Sequence, residues 1–255
     1  MLRFNYMWSA RHCHSTANNF NLVSRFVYLF NICNFLLEMQ YSNNFVRLNL
    51  HNQFEAMQRT KALRLFSKYD EGVRINKTMM YSITKEVIAN KIAEICKQKG
   101  YKYVVDGCSG AGGNTIAFAS HGIQTASVEY NQENLYDCIH NSEIYGVNED
   151  IQFFHGDITY FDCLKETGFD PAQTLFFCSP EWGGPNYIQN TVFDLEQLQP
   201  RLTKLLKYAR ETGYAESCYY LPRSSDLEQL ERNGCTEVNY MFQAGRCDAI
   251  CAWFN

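Results

Sequence analysis

The spacing of apolar and polar positions changes repeatedly along this chain, and from Thr84 onward the changes alternate regularly. Val87, Ile88, Ile92, Ile95 and Cys96 form a stripe at helical spacing. Tyr101–Val105 is a short continuous apolar run, the pattern of a strand buried on both faces. Gly113–His121 reads as a helix, Ile123–Glu129 as a strand, Asn131–Tyr145 as a helix and Ile151–His155 as a strand. Leu175–Cys178 gives a fourth strand, and a helix is predicted over Leu195–Arg210. Three further strand runs follow, Ala215–Leu221, Thr236–Phe242 and Asp248–Phe254. Alternation of this kind predicts an α/β domain, a mostly parallel seven-stranded sheet with helices on both faces. The last two strands are joined by a short connection, which predicts an antiparallel hairpin at one edge.

Residues 1–59 break the pattern. They hold ten Asn, five Arg and no Lys. The apolar run Phe26–Leu37 includes Asn31 and Asn34 and is too short to span a bilayer. The segment reads as an N-terminal extension, disordered or helical, before a domain over 60–255 with a short helical lead-in. An Arg-containing presequence and translation from Met39 or Met57 are the other readings of it.

Composition narrows the partners. The chain is 46% hydrophobic and 20% charged, with a net charge of −4. A protein that grips long polynucleotides through phosphates is usually basic, so a small or locally recognised substrate is favoured, an RNA end included. The 11 Cys form no C-x-x-C pair. They suit small core thiols in a reducing compartment, and no metal is expected.

The candidate chemistry sits at strand ends. The first strand runs into Asp106-Gly107-Cys108-Ser109-Gly110-Ala111-Gly112-Gly113-Asn114. Ligands of doubly wound sheets bind at such carboxyl ends, and Gly110 and Gly112 allow close backbone approach. A carboxylate at Asp106 suits a cationic aminoacyl group better than a phosphate, which points to S-adenosylmethionine rather than a dinucleotide. Glu129 ends the second strand 23 residues later, where an acid accepts from ribose hydroxyls. Asp157 follows the third strand, placed either to accept from an adenine amine or to cap a helix at Ile158. The fourth strand leads into Ser179-Pro180-Glu181-Trp182-Gly183-Gly184-Pro185. The Ser179 hydroxyl and Pro180 carbonyl can accept from an aryl amine and push its flat nitrogen toward a tetrahedral nucleophile, with positioning supplying much of the rate. Trp182 either stacks on the base, with added attraction if that base is cationic, or fills the core beside a Gly-Gly turn.

These residues carry a family resemblance. Leu65-Phe66-Ser67-Lys68-Tyr69-Asp70-Glu71-Gly72, Tyr81-Ser82-Ile83-Thr84, Val104-Val105-Asp106, Gly110–Ile116, Asn141–Gly146, Ser179–Pro185 and Leu221-Pro222-Arg223 are similar to the corresponding segments of trimethylguanosine synthases. The resemblance runs from Leu65 to the C-terminus. It implies a Rossmann-like methyltransferase fold and methylation of the exocyclic N2 of 7-methylguanosine caps on small nuclear and nucleolar RNAs. It implies that Thr84 and Asp106 hold the aminoacyl end of S-adenosylmethionine, with Glu129 at its ribose and Asp157 at its adenine, and that Gly110, Gly112 and Asn114 also belong to the cofactor-binding set. Trp182 would stack on 7-methylguanine, Ser179 and Asn141 would face the guanine edge, and Arg223 would lie on the phosphate or base side of the cap. Asn141 also reads as a helix-surface residue and Arg223 as a surface cation. Two departures stand out. Glu181 occupies the place of the family's second Pro, retaining an N–H and a freer φ that predict a less rigid loop, with a carboxylate able to accept from guanine N1–H or N2–H. Met57-Gln58-Arg59 replaces a Lys-Tyr-Trp segment, leaving Arg59, Lys61 or Arg64 to grip the cap phosphates. A nuclear location, with the cytoplasm as the alternative, and a monomer are the remaining expectations. Two other functions fit the same loop: an N2 or N6 amine methyltransferase of structured RNA or DNA, and a non-catalytic cap- or RNA-binding relative.

Overall fold

The computed structural model describes residues 53–184, 187 and 191–255. Most of the 1–59 extension lies outside them. The chain divides into two compact units, Met1–Glu55 and Ala56–Asn255, and the second carries the elements that follow.

The part of helix α1 that lies in this unit (56–65, the helix being described from 53) and the short helix α2 (Met79–Ser82) lead into α3 (Glu86–Gln98), β1 (Tyr103–Asp106), α4 (Gly113–Ser120), β2 (Gln124–Glu129), α5 (Gln132–Tyr145) and β3 (Ile151–His155). The second half comprises α6 (Cys163–Thr167), β4 (Thr174–Cys178), α7 (Leu202–Thr212), β5 (Glu216–Pro222), α8 (Leu227–Arg232), β6 (Cys235–Gln243) and β7 (Arg246–Phe254). The seven strands form one sheet in the order β3-β2-β1-β4-β5-β7-β6. β7 runs antiparallel to both β5 and β6, and the other pairings are parallel. The expected α/β architecture and hairpin are therefore present, with β7 inserted inside the edge strand β6.

Apolar packing explains why these segments settle here. Ile88, Ile92 and Cys96 of α3 are buried with Phe118 of α4 and Trp253 of β7 on one side of the sheet. Leu202, Leu205 and Leu206 of α7 cover Phe176, Tyr219 and Ile250 on the other. Val87, at the rim of the predicted stripe, is exposed. A third small cluster, Leu65, Phe66, Val73 and Ile116, fastens the lead-in against α4.

The helix expected over Leu195–Arg210 is not continuous. A single 3-10 turn occupies Leu195–Gln197, and α7 begins only at Leu202. Pro200 lacks an N–H and disfavours helical backbone at the residue before it, so the chain cannot run through. The resulting strap, 197–201, becomes part of the site.

Gly107, just past β1, has no room for a side chain. A Cβ there would lie 2.8 Å from the Phe176 ring and 2.9 Å from Ile158. Gly107→Ala is expected to destabilise the protein by about 1–3 kcal/mol through overpacking, read as a lower urea midpoint with an unchanged slope.

Candidate active site

The parallel register sets the site's layout. Asp106 of β1 is opposite Phe177 of β4, and Gly107 N–H donates to the Phe177 carbonyl over 2.9 Å. The glycine loop and the Ser179 loop therefore leave the sheet side by side. A cavity of about 820 Å³ opens there, lined by Thr84, Gly110, Asn114, Glu129, Asp157 and Ser179 among others.

Its polar groups are specific. Asn114 is buried, and its Nδ2 donates to Thr84 Oγ1 over 3.0 Å, while its Oδ1 has no partner among the described residues. An orphaned buried acceptor is costly unless something donates to it. Glu129 Oε2 accepts from Gly110 N–H at 2.8 Å and Oε1 from Asn131 N–H at 2.9 Å. Each oxygen keeps a lone pair for a hydroxyl. Burial pushes the Glu129 carboxyl above its ordinary range. Asp157 accepts from Thr159 N–H and its hydroxyl, capping the turn at Ile158, and still lines the cavity. Both roles expected of it are geometrically compatible.

Three expected site residues are placed differently. Asp106 is fully buried behind the loop, where its carboxylate accepts from Thr115 Oγ1 at 2.7 Å and faces Cys108 N–H at 3.4 Å. It does not line the cavity. The orphaned acceptor that does is Asn114. Burial pushes the Asp106 carboxyl up to about 7. Gly112 also lies off the cavity. Its φ of +96° starts α4, and a Cβ would meet Cys138 Sγ at 2.9 Å. Asn141 does not face a guanine. It is fully buried, its Oδ1 accepts from Arg74 N–H at 2.7 Å, and its Nδ2 donates to the Arg74 and Ala111 carbonyls at 2.9 Å each. That uses both amide protons and pins the lead-in to the glycine loop.

A second cavity, about 600 Å³, adjoins the first. Trp182, half-buried, stands on its wall with Tyr187 and Tyr220. The indole meets Tyr187 edge to face at 5.0 Å between centroids and Tyr220 at 5.5 Å, and its Nε1 donates to the Tyr220 carbonyl. Arg223, Arg246, Lys61 and Lys85 supply positive charge, with Lys85 held by Asp248 at 2.7 Å. Lys61 lies 3.4 Å from the centroid of the Tyr81 ring. Arg59 instead pairs with Asp70, and neither it nor Arg64 lines either cavity. Four residues line both cavities: Ser82, Ile83, Pro180 and Glu181. Ser179 faces the first and Trp182 the second, with Pro180 at the passage.

Several residues at the site carry no local sequence signal. Tyr130 lines the first cavity and its hydroxyl donates to Glu181 Oε1 at 3.3 Å. Glu181 and Gln199 exchange two backbone hydrogen bonds of 3.0 Å each. The N–H that Pro would lack is thus paired with the strap, a hold on the loop at Glu181 that the expectation of a looser loop did not include.

A doubly wound sheet with two adjoining cavities at its carboxyl ends fits a methyltransferase that uses S-adenosylmethionine, and the chain's family makes it one. The family described as RNA cap guanine-N2 methyltransferase matches residues 101–255. The chain is 34% identical over 201 residues to the trimethylguanosine synthase of Schizosaccharomyces pombe, covering 75% of this chain and 82% of that protein. It is 36% identical over 177 residues to the Saccharomyces cerevisiae trimethylguanosine synthase, covering 66% of this chain and 55% of that one. Among solved structures, a putative methyltransferase from Porphyromonas gingivalis W83 superposes with a TM-score of 0.53 at 19% identity, over 67% of this chain and 40% of that chain. The chain belongs to the RNA cap guanine-N2 methyltransferase family. It is an enzyme that methylates the N2 amine of a guanosine at an RNA cap.

The donor fits the first cavity. The orphaned Asn114 Oδ1 would take the ammonium of S-adenosylmethionine, Glu129 the two ribose hydroxyls and Asp157 the adenine amine.

Two outcomes follow from the relocated residues. Asn141→Ala strands an N–H and two carbonyls in the interior and should cost about 3 kcal/mol in urea unfolding, whereas a guanine-edge role would spare stability and weaken acceptor binding. The folded-state carboxyl of Asp106, at about 7, lies above its unfolded value of about 3.9. Its contribution to stability is therefore fully present below about pH 4 and lost as pH rises toward about 7. Asp106→Asn should flatten that part of the pH dependence of the urea midpoint.

Proposed function

We propose that the base in the second cavity is 7-methylguanine, with its N2 at the Pro180–Glu181 passage and the cap phosphates toward Arg223, Arg246 and Lys61. The observation that carries this reading is the placement of Trp182. One residue joins an aromatic wall to the loop shared by both cavities. Methylation at N7 makes guanine cationic, and a cation over an indole gains about 0.5–2 kcal/mol.

S-adenosylmethionine supplies an electrophilic methyl group on a sulfonium. The chain's own work is to place an aryl amine against it. Pro180 lines both cavities, and its carbonyl would accept one N–H of the amine and orient the nitrogen lone pair toward the first cavity. Ser179 lies on the donor side of the passage. Aligning two reactants in this way accounts for much of the barrier reduction. The reading carries with it small nuclear and nucleolar RNAs as substrates, action in the nucleus and a monomeric enzyme. Family resemblance supports the RNA substrates and, through them, the nuclear location.

The test is transfer of labelled methyl to 7-methylguanosine diphosphate and to guanosine diphosphate. Wild type should strongly prefer the 7-methylated acceptor. Trp182→Ala should lose the activity while binding S-adenosylhomocysteine normally, and Trp182→Phe should keep part of it. Equal use of both acceptors would replace this reading with a general guanine-amine methyltransferase.

A further inference from the structure

Glu181 is one of the four residues that line both cavities, together with its neighbour Pro180 and with Ser82 and Ile83 of the lead-in. Its backbone is fixed by the two-way pair with Gln199. Its carboxylate is steered by Tyr130, whose hydroxyl donates to Oε1 at 3.3 Å, while Oε2 has no hydrogen-bond partner among the described residues. No Lys or Arg forms a salt bridge to it among those residues. The negative charge is close enough to be the main cause raising the Tyr130 phenol above its ordinary value. The side chain is also exposed, so a proton received there can pass to water.

Resting on the reading that guanine occupies the second cavity, we propose that Glu181 is a catalytic base: it accepts the proton that guanine N2 sheds during methyl transfer. The balance is simple. The N2 lone pair forms the new N–C bond as the C–S bond breaks and its electron pair stays on sulfur. The nitrogen, now carrying one proton too many, gives that proton to a Glu181 carboxylate oxygen, and solvent removes it. The amine becomes acidic only as it is alkylated, so a carboxylate at hydrogen-bond reach suffices. Tyr130 is a positioning residue that holds the carboxylate at the passage.

Glu181→Gln separates this role from simple hydrogen bonding, because the amide oxygen still accepts an N–H but takes no proton. Single-turnover methylation of 7-methylguanosine diphosphate by the full chain should slow by about 100-fold in Glu181→Gln. Acceptor KM and affinities for S-adenosylmethionine and S-adenosylhomocysteine should be unchanged. Glu181→Asp should recover part of the rate, and Tyr130→Phe should lose less than Glu181→Gln. A Glu181→Gln enzyme with the wild-type rate overturns the proposal. So does selective weakening of S-adenosylmethionine over S-adenosylhomocysteine, which would make Glu181 a counter-charge to the sulfonium. Wild-type turnover of the acceptor is measured first. Failure there sinks the acceptor assignment and this proposal together, whereas full activity in Glu181→Gln sinks the proposal alone.

Discussion

The site depends on one alignment, the parallel pairing of β1 with β4. Asp106 opposite Phe177, reinforced by Gly107 N–H on the Phe177 carbonyl, makes two loops leave the sheet at the same level. One loop forms the donor cavity and the other carries Ser179 through Trp182. A shift of one residue would turn every side chain of the moved strand to the opposite face. It would separate Pro180 from the cavity it now shares. The pairing is secured by burial on both sides. Val104 and Leu175 pack with α3 and α4, and Val105 and Phe176 pack with α7.

Around that pairing the glycine loop is braced from behind. Thr115 reaches back to Asp106, Glu129 accepts from Gly110, and Asn141 ties Ala111 to the lead-in at Arg74. These contacts convert a mobile sequence type into a fixed one, so few of the loop's polar groups are free to move when a ligand arrives. The free acceptor on Asn114 stands out against that background. Tyr214 and Tyr219 also have unpartnered buried hydroxyls among the described residues, but Asn114 is the one of the three whose residue lines the first cavity.

Much of this was legible in the amino-acid sequence, for physical reasons. Buried parallel strands read as unbroken apolar runs, as in Leu175–Cys178, and acids and glycines mark the strand ends. Thr84, Gly110, Asn114, Glu129 and Asp157 are found around the first cavity and Trp182 and Arg223 around the second. What sequence could not convey was which way a side chain points. Asp106 and Asn141 are the same polar types whether they face a ligand or brace a loop, and only the tertiary partners decide. The strap at 197–201 was hidden by an apolar spacing that continued past Pro200. Its pairing with Glu181 joins residues 18 apart, so no local pattern records it. That pairing also recasts the departure at Glu181. A Pro would stiffen the loop by its ring, whereas Glu181 is held by an N–H that Pro lacks, leaving its carboxylate available at the passage.

In the proposed arrangement donor and acceptor occupy the two cavities and meet at Pro180–Glu181. A crystal structure of the protein with S-adenosylhomocysteine and 7-methylguanosine diphosphate is the decisive test. The sulfur and the guanine N2 should lie on opposite sides of the passage, with room for one methyl between them, the base against Trp182 and the phosphates toward Arg223 and Arg246. A cap analogue bound away from Trp182, or with N2 turned from the donor cavity, would contradict it.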